Sequence, residues 1–269
     1  DYDIEAVLHF AAFIEAGESM HSPLKFFDNN MVGSLRLLEA MQAHSVTKLI
    51  FSSTAAVYGI PDHNNAITEE DPKAPVNPYG TSKLMVEHMI KDAATAHDMQ
   101  MVALRYFNAA GADPEGRTGE RHDPETHLIP LVLQAAMGVR ENISIFGTDY
   151  PTPDGTCVRD YIHVADLADA HVKALLHLLK QKKSVGYFDA FNLGNGAGYS
   201  VRQVVDMVRR ITGKDFKIQE RDRRPGDPPV LIASSEKARK TLNWQPNHPD
   251  LKTISTHAYE YSKGRLVKN

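Results

Sequence analysis

Short apolar runs alternate along this chain with stretches whose apolar residues recur every three or four positions. The run "AVLHFAA" at residues 6–12 and the run "KLIFSS" at residues 48–53 are of the kind buried on both faces of a parallel sheet. Between them Val32, Leu35, Leu38 and Met41 fall on one helical stripe. After a loop over residues 61–76, Asn77 is placed to cap a helix with Pro78 at its first position, and Leu84, Val86, Met89 and Ile90 continue it. A third buried run, "MVALRYFN", occupies residues 101–108. This alternation predicts an α/β fold, a doubly wound parallel sheet with right-handed crossovers.

Beyond Asn108 the texture changes. Residues 111–126 are rich in Gly, Pro, Asp and Glu without an apolar period and read as a loop. A helix is expected over 127–138, a short strand over 143–147, a helix over 165–179 and a strand over 188–193. The tail predicts a helix over 200–212, a loop over 221–229 and further helices ending near Ser262. Ligands of open α/β sheets sit at the carboxyl ends of the strands, here Ala11-Ala12, Ser52-Ser53-Thr54 and Phe107-Asn108. Small side chains there admit a flat cofactor, and hydroxyls and an amide can orient it.

Composition narrows the class. The 269 residues are 42% hydrophobic and 24% charged, with a net charge of −4 and both signs spread along the chain. No basic footprint invites nucleic acid or an anionic membrane surface, and no apolar run is long enough to span a bilayer. The single cysteine, Cys157, forms no internal disulfide and fits a reducing compartment, so a cytoplasmic location is expected. The start "DYDIEAVLHFAA" has neither a basic leader nor a cleavage-site pattern, and no signal peptide is expected.

The stretch "NPYGTSK" at residues 77–83 carries candidate chemistry. Tyr79 and Lys83 stand four apart and share one helix face. A phenol with a reference pKa near ~10 needs roughly 4 kcal/mol of anion stabilisation to act as a base at neutral pH. A neighbouring ammonium supplies part of that, and a cationic nicotinamide more. Thr54, at a strand end, is placed to hydrogen-bond the same substrate oxygen. Taken alone, Y-x-x-x-K is as well explained by an ordinary helix surface; a strand ending Ser-Ser-Thr before it and one ending at Asn108 after it favour the chemical account.

With those residues in hand, the sequence resembles the extended short-chain dehydrogenase/reductases, and among them the UDP-glucose 4-epimerases. The stretches "HFAAFIEAGES" (9–19), "FSSTAAVYG" (51–59), "NPYGTSKLMVE" (77–87), "LRYFNAAGADPEG" (104–116), "HLIP" (127–130), "IFGTDYPTPDGTCVRDYIHVADLADAH" (145–171), "FNLGNG" (191–196) and "RRPGD" (223–227) carry the resemblance. It implies a Rossmann-type NAD-binding domain, residues 1–110 and 157–194, with a smaller α/β domain for the UDP-sugar, residues 111–156 and 195–269. It also implies interconversion of UDP-glucose and UDP-galactose through a 4-keto intermediate with transient hydride transfer to NAD, a place in galactose metabolism, and a homodimer. By the same resemblance Tyr79 is the acid/base, Lys83 its electrostatic partner and a nicotinamide-ribose ligand, and Thr54 the hydroxyl near the sugar's 4-oxygen, where relatives often have serine. Phe10, Ala11, Ala12, Asn29, Ser52, Ser53 and Phe107 are implied to face NAD. Asn108, His127, Leu128, Ser144, Phe146, Arg159, Arg224 and Asp227 are implied to hold the UDP-sugar, since guanidinium forks suit diphosphate oxygens and Phe146 suits uracil. Without that context Arg159 pairs as readily with a nearby carboxylate, and Phe107 and Phe146 read as core.

Three departures set further expectations. Ile14 stands where some relatives place a cation over the cofactor, and Leu231 where some place a tyrosine that limits the sugar pocket. The glycine-rich strand-turn-helix that opens such folds is not found before Asp1, so the sheet is expected to be incomplete at its N-terminal side, with weak NAD retention and a tendency to self-associate. The cluster "GNGAG" at residues 194–198 has the wrong spacing for that turn and reads as a loop beside the sugar-nucleotide site. A nucleotide-sugar 4,6-dehydratase is the enzymatic alternative, disfavoured because Ala55-Ala56 replaces the Asp-Glu usual in such relatives; a noncatalytic nucleotide-sugar-binding fragment is the other. His163 and His171 near Asp166 lack a compact ligand spacing, and no metal is expected.

Overall fold

The computed structural model of the chain describes residues 2–181, 185–224 and 226–266. In chain order the strands are β1 (Ala6–His9), β2 (Lys48–Thr54), β3 (Gln100–Tyr106), β4 (Asn108–Ala110), β5 (Asn142–Phe146), β6 (Val158–His163), β7 (Tyr187–Leu193), β8 (Gly198–Ser200), β9 (Lys217–Arg221) and β10 (Val230–Leu231). The helices are α1 (Ala16–His21), α2 (Pro23–Phe26), α3 (Gly33–Ala43), α4 (Pro78–Ala96), α5 (Leu128–Ala136), α6 (Val164–Leu179), α7 (Val201–Thr212), α8 (Glu236–Leu242) and α9 (Leu251–Leu266). A π-turn, Phe27–Val32, leads into α3, and a 3-10 turn, Ala55–Tyr58, follows β2.

The main sheet runs β1-β2-β3-β7, all parallel, and so bears out the α/β reading. Every residue of β2 is buried, as a strand covered on both faces requires. Its side chains alternate: Leu49 and Phe51 pack with Val86 and Ile90 of α4, while Ile50 packs with Leu167 and Ala170 of α6 and with Trp244. A separate core gathers Ile129, Val132 and Leu133 of α5, Ile143 and Ile145 of β5, and Val204, Val205 and Val208 of α7. A second sheet orders β10-β6-β4 in parallel with β8 antiparallel on β6, and β5 pairs with β9.

Several expectations need correction. The first strand ends at His9, so Phe10, Ala11 and Ala12 lie beyond it. The third strand ends at Tyr106, and Asn108 opens β4, which pairs with β6 in the other sheet instead of extending the first. Of the expected stripe, Leu35, Leu38 and Met41 lie on α3, while Val32 closes the π-turn of residues 27–32, which buries Asn30 between Phe13 and Ser82. Strands β6, β8, β9 and β10 and helices α1 and α2 have no counterpart in the sequence reading. Pro225 of "RRPGD" and residues 267–269 lie outside the described residues.

Candidate active site

Helix α4 begins as its sequence dictates. The Asn77 side chain accepts the Gly80 N–H at 2.8 Å, and Pro78 occupies the first turn. Gly80 lets this turn lie against the 3-10 turn after β2; a Cβ there would come within 2.6 Å of the Ala56 carbonyl oxygen. That close approach sets Tyr79 beside Thr54, the N-cap of the 3-10 turn. Burial raises the phenol's pKa well above its ordinary value, and a hydrogen bond with Thr54 lowers it. Negative potential from Tyr106 and Glu15 adds to the rise.

One turn further on, Lys83 is 3% exposed, and its Nζ donates to the Ser52 carbonyl at 2.8 Å and lies 4.8 Å from the centre of the Phe51 ring. Burial pushes its pKa down to about 8, against the raising influence of Glu87. Among the described residues no hydrogen bond joins Tyr79 to Lys83. Another turn on, Glu87 is buried and takes both Arg105 Nε at 2.9 Å and Arg105 Nη2 at 2.6 Å, and it accepts the Ser53 hydroxyl. Arg105 Nη1 also donates to the Tyr58 hydroxyl at 2.8 Å, which donates to Asn192 at 2.7 Å. This network, missed from sequence, joins α4, β2, β3 and β7. The spacing Tyr79, Lys83, Glu87 was its signal.

The residues implied to face a cofactor sit differently from one another. Ser52 and Ser53 are each 1% exposed. The Ser52 hydroxyl lies 3.4 Å from His171 Nε2, and the Ser53 hydroxyl is engaged by Glu87. Phe10 is 57% exposed at the end of β1, its ring 4.7 Å from that of His171. Ala11 is exposed, Ala12 and Phe107 are half-buried, and exposed Asn29 donates to Asn30 at 2.9 Å.

Eight residues implied to hold the UDP-sugar, Asn108, His127, Leu128, Ser144, Phe146, Arg159, Arg224 and Asp227, line one cavity of about 380 Å³. Arg224 stacks 3.8 Å from the centre of Phe146. Arg159 donates to the Val158 and Pro228 carbonyls at 2.9 and 2.8 Å and stands 3.5 Å from Asp227, so it has the local carboxylate partner that its sequence neighbourhood also suggested. Asn108 donates to the Asp160 carbonyl at 2.8 Å. A smaller recess of about 200 Å³, lined by Thr54, Phe107 and Leu231, shares Asn108, Arg159 and Asp227 with the main cavity. The two recesses therefore form a path from Thr54, at the end of β2, to Arg224 and Phe146. Cys157 is buried and lines the main cavity. The loop "GNGAG" joins β7 to β8 and is held by Asp160, whose carboxylate accepts the N–H groups of Asn195, Gly196 and Ala233. Burial raises the pKa of Asp160 to about 6, with those three bonds opposing.

A phenol and a threonine hydroxyl together at a parallel-sheet strand end, opening on an arginine-bearing cavity, suit proton transfer on a diphosphate-linked substrate. A sequence profile described as GDP-mannose 4,6 dehydratase matches residues 1–254. UDP-glucose 4-epimerase of Halalkalibacterium halodurans is 51% identical over 262 residues, 97% of this chain and 77% of that one. The chain belongs to the UDP-glucose 4-epimerase family. Among solved structures, UDP-glucose 4-epimerase from Brucella ovis in complex with NAD is 46% identical with a TM-score of 0.90, over 96% of this chain and 78% of that one. The Bifidobacterium longum enzyme in complex with NAD+ and UDP is 38% identical with a TM-score of 0.92, over 98% and 78% respectively. In this epimerase-family chain Ala55 and Ala56 occupy the positions after Thr54, so no carboxylic acid directly follows the threonine.

Proposed function

We propose that the chain is a UDP-glucose 4-epimerase that interconverts UDP-glucose and UDP-galactose with bound NAD. The observation that supports this reading is that Thr54, hydrogen-bonded to the Tyr79 phenol, lines the recess that shares Arg159 with the cavity holding Arg224. Tyr79 takes the proton of the sugar's 4-hydroxyl and later returns it. Thr54 holds that oxygen. Arg159 and Arg224 receive the diphosphate, and Phe146 stacks on the uracil side. Burial, with the negative potential of Tyr106 and Glu15, raises the phenol's pKa, so its activation would depend on the positive charge of an oxidised nicotinamide ring held close by.

The residues fit NAD on its nicotinamide side. Among the described residues the Lys83 ammonium makes one hydrogen bond, to Ser52, which leaves two donors for ribose hydroxyls. Phe10 offers an apolar surface at the neighbouring strand end. NAD, when bound, supplies the hydride acceptor and donor for the sugar's C4.

The division into a NAD-binding unit, residues 1–110 and 157–194, and a UDP-sugar unit, residues 111–156 and 195–269, is part of the same proposal. The distinct core around α5, β5 and α7 supports it. A homodimer is supported by Val172, Leu176 and Leu179, 54%, 50% and 48% exposed at helical spacing on α6. A cytoplasmic site of action is supported by the single, buried, unpaired cysteine, and a place in galactose metabolism follows from the proposed substrates. Proton NMR of UDP-galactose incubated with the protein and NAD tests the reading. Appearance of the glucose-type anomeric signal supports it, and an inert substrate rejects it.

A further inference from the structure

The loop between β4 and α5 contains one isolated bridge, Ala112 to Gly119, and otherwise no regular element among residues 111–127. Its last part reads Glu120-x-His122-x-x-Glu125-x-His127. One nitrogen or oxygen from each of these four side chains lies within 4.8 Å of the others. His127 Nδ1 stands 2.8 Å from Glu120 Oε1 and 3.0 Å from Glu125 Oε1; His122 Nδ1 stands 3.3 Å from Glu120 Oε1 and 3.7 Å from Glu125 Oε2. A single Nδ1–H cannot serve two carboxylates equally.

We propose that these four side chains bind one divalent transition cation of the zinc class. Each imidazole would ligate through Nδ1 and each glutamate through one oxygen. Tetrahedral zinc with bonds of about 2.0–2.2 Å places its ligands roughly 3.3–3.6 Å apart, so the four separations above need shifts of about half an ångström and the widest pair of the group, within 4.8 Å, closes by up to about 1.2 Å. Two neutral imidazoles and two carboxylates give a neutral complex with a dication. Imidazole nitrogen suits zinc, cobalt and nickel and disfavours magnesium and calcium. Glu125 is already oriented: its Oε1 accepts the N–H groups of Thr126 and His127 at 2.7 and 2.8 Å.

The consequence is local order. His127 is the N-cap of α5, and His127 and Glu120 both line the 380 Å³ cavity, so a cation here ties an irregular loop to one wall of that cavity. The ring of His127 then faces the cation, and a contact with a nucleotide sugar falls to its backbone or to Leu128. This proposal stands on the four side chains alone and does not depend on the epimerase reading.

The test uses chelator-treated protein freed of any histidine tag, with Zn2+ followed by calorimetry and Co2+ by visible absorption. One equivalent of Zn2+ should bind, and Co2+ should show the intense visible bands of a tetrahedral complex. His122→Ala, at a partly exposed side chain, should weaken binding by at least about 100-fold while the protein keeps its thermal transition. Glu125→Gln should do likewise, and Zn2+ should slow tryptic cleavage after Arg121 in the native chain alone. Absence of stoichiometric binding, or undiminished affinity in a folded His122→Ala protein, overturns the proposal.

Discussion

The Lys83 ammonium is fastened 2.8 Å from the backbone carbonyl of Ser52, so one hydrogen bond ties the face of α4 that carries Tyr79 to the end of β2 that carries Thr54. Among the described residues no carboxylate forms an ion pair with this buried cation, and burial dominates its pKa, which falls to about 8 from an ordinary 10.5.

That depression makes a stability prediction for cofactor-free protein. Between about pH 8 and 10.5 the unfolded chain holds the lysine proton and the folded chain has lost it, so this group makes stability rise with pH. Below about pH 8 the full penalty of the buried charge applies, roughly 3 kcal/mol at about 1.4 kcal/mol per pKa unit. Lys83→Met should therefore be more stable than the native protein near neutrality, with the advantage shrinking as pH approaches 10.5. Urea unfolding across this range checks it; an advantage independent of pH would contradict it.

Glu87 and Arg105 form a buried bidentate pair that also anchors Ser53 and Tyr58. Glu87→Ala strands a buried guanidinium and should destabilise the fold by about 3–5 kcal/mol, whereas the double change Glu87→Leu with Arg105→Met should recover most of that loss. Denaturant midpoints of the single and double variants decide it. A loss under about 0.5 kcal/mol in Glu87→Ala would show that the pair is not structural.

Leu231 borders the recess that contains Thr54. Leucine leaves room that a tyrosine would fill, so Leu231→Tyr should lower activity on UDP-N-acetylhexosamines relative to UDP-hexoses. The ratio of kcat/KM values for the two substrates measures this. An unchanged ratio would place the size limit elsewhere.

The main sheet was legible because β2 and β3 are buried on both faces and read as continuous apolar runs, and α4 because Asn77 and Pro78 spell its start. Strand β6 was not, because Arg159, Asp160 and His163 interrupt its apolar residues; these polar groups find partners only in the folded chain, Asp160 through three backbone N–H groups. Strand β9, "KIQER", has no fully buried residue and so no strong signal. The break at Phe107 was hidden for a different reason. The run "MVALRYFN" shows no turn residue before its end, but its last residue, Asn108, changes sheets to meet Tyr161. The eight cavity residues came from resemblance, not from periodicity, since they are drawn from β4, α5, β5, β6 and the loop before β10. The Glu120, His122, Glu125 and His127 group needed the loop's path as well as its spacing.

In the proposed reaction Tyr79 moves the proton while hydrogen leaves and returns at the sugar's C4. UDP-galactose deuterated at C4, incubated with NAD and either native protein or Tyr79→Phe, tests it most directly by mass and NMR analysis of the product. The expected product is UDP-glucose that keeps its deuterium at C4, formed by native protein and slowed by about 10²–10⁴-fold in Tyr79→Phe with UDP affinity unchanged. A 4-keto-6-deoxy product, loss of the deuterium to solvent, or near-native turnover in Tyr79→Phe would contradict it.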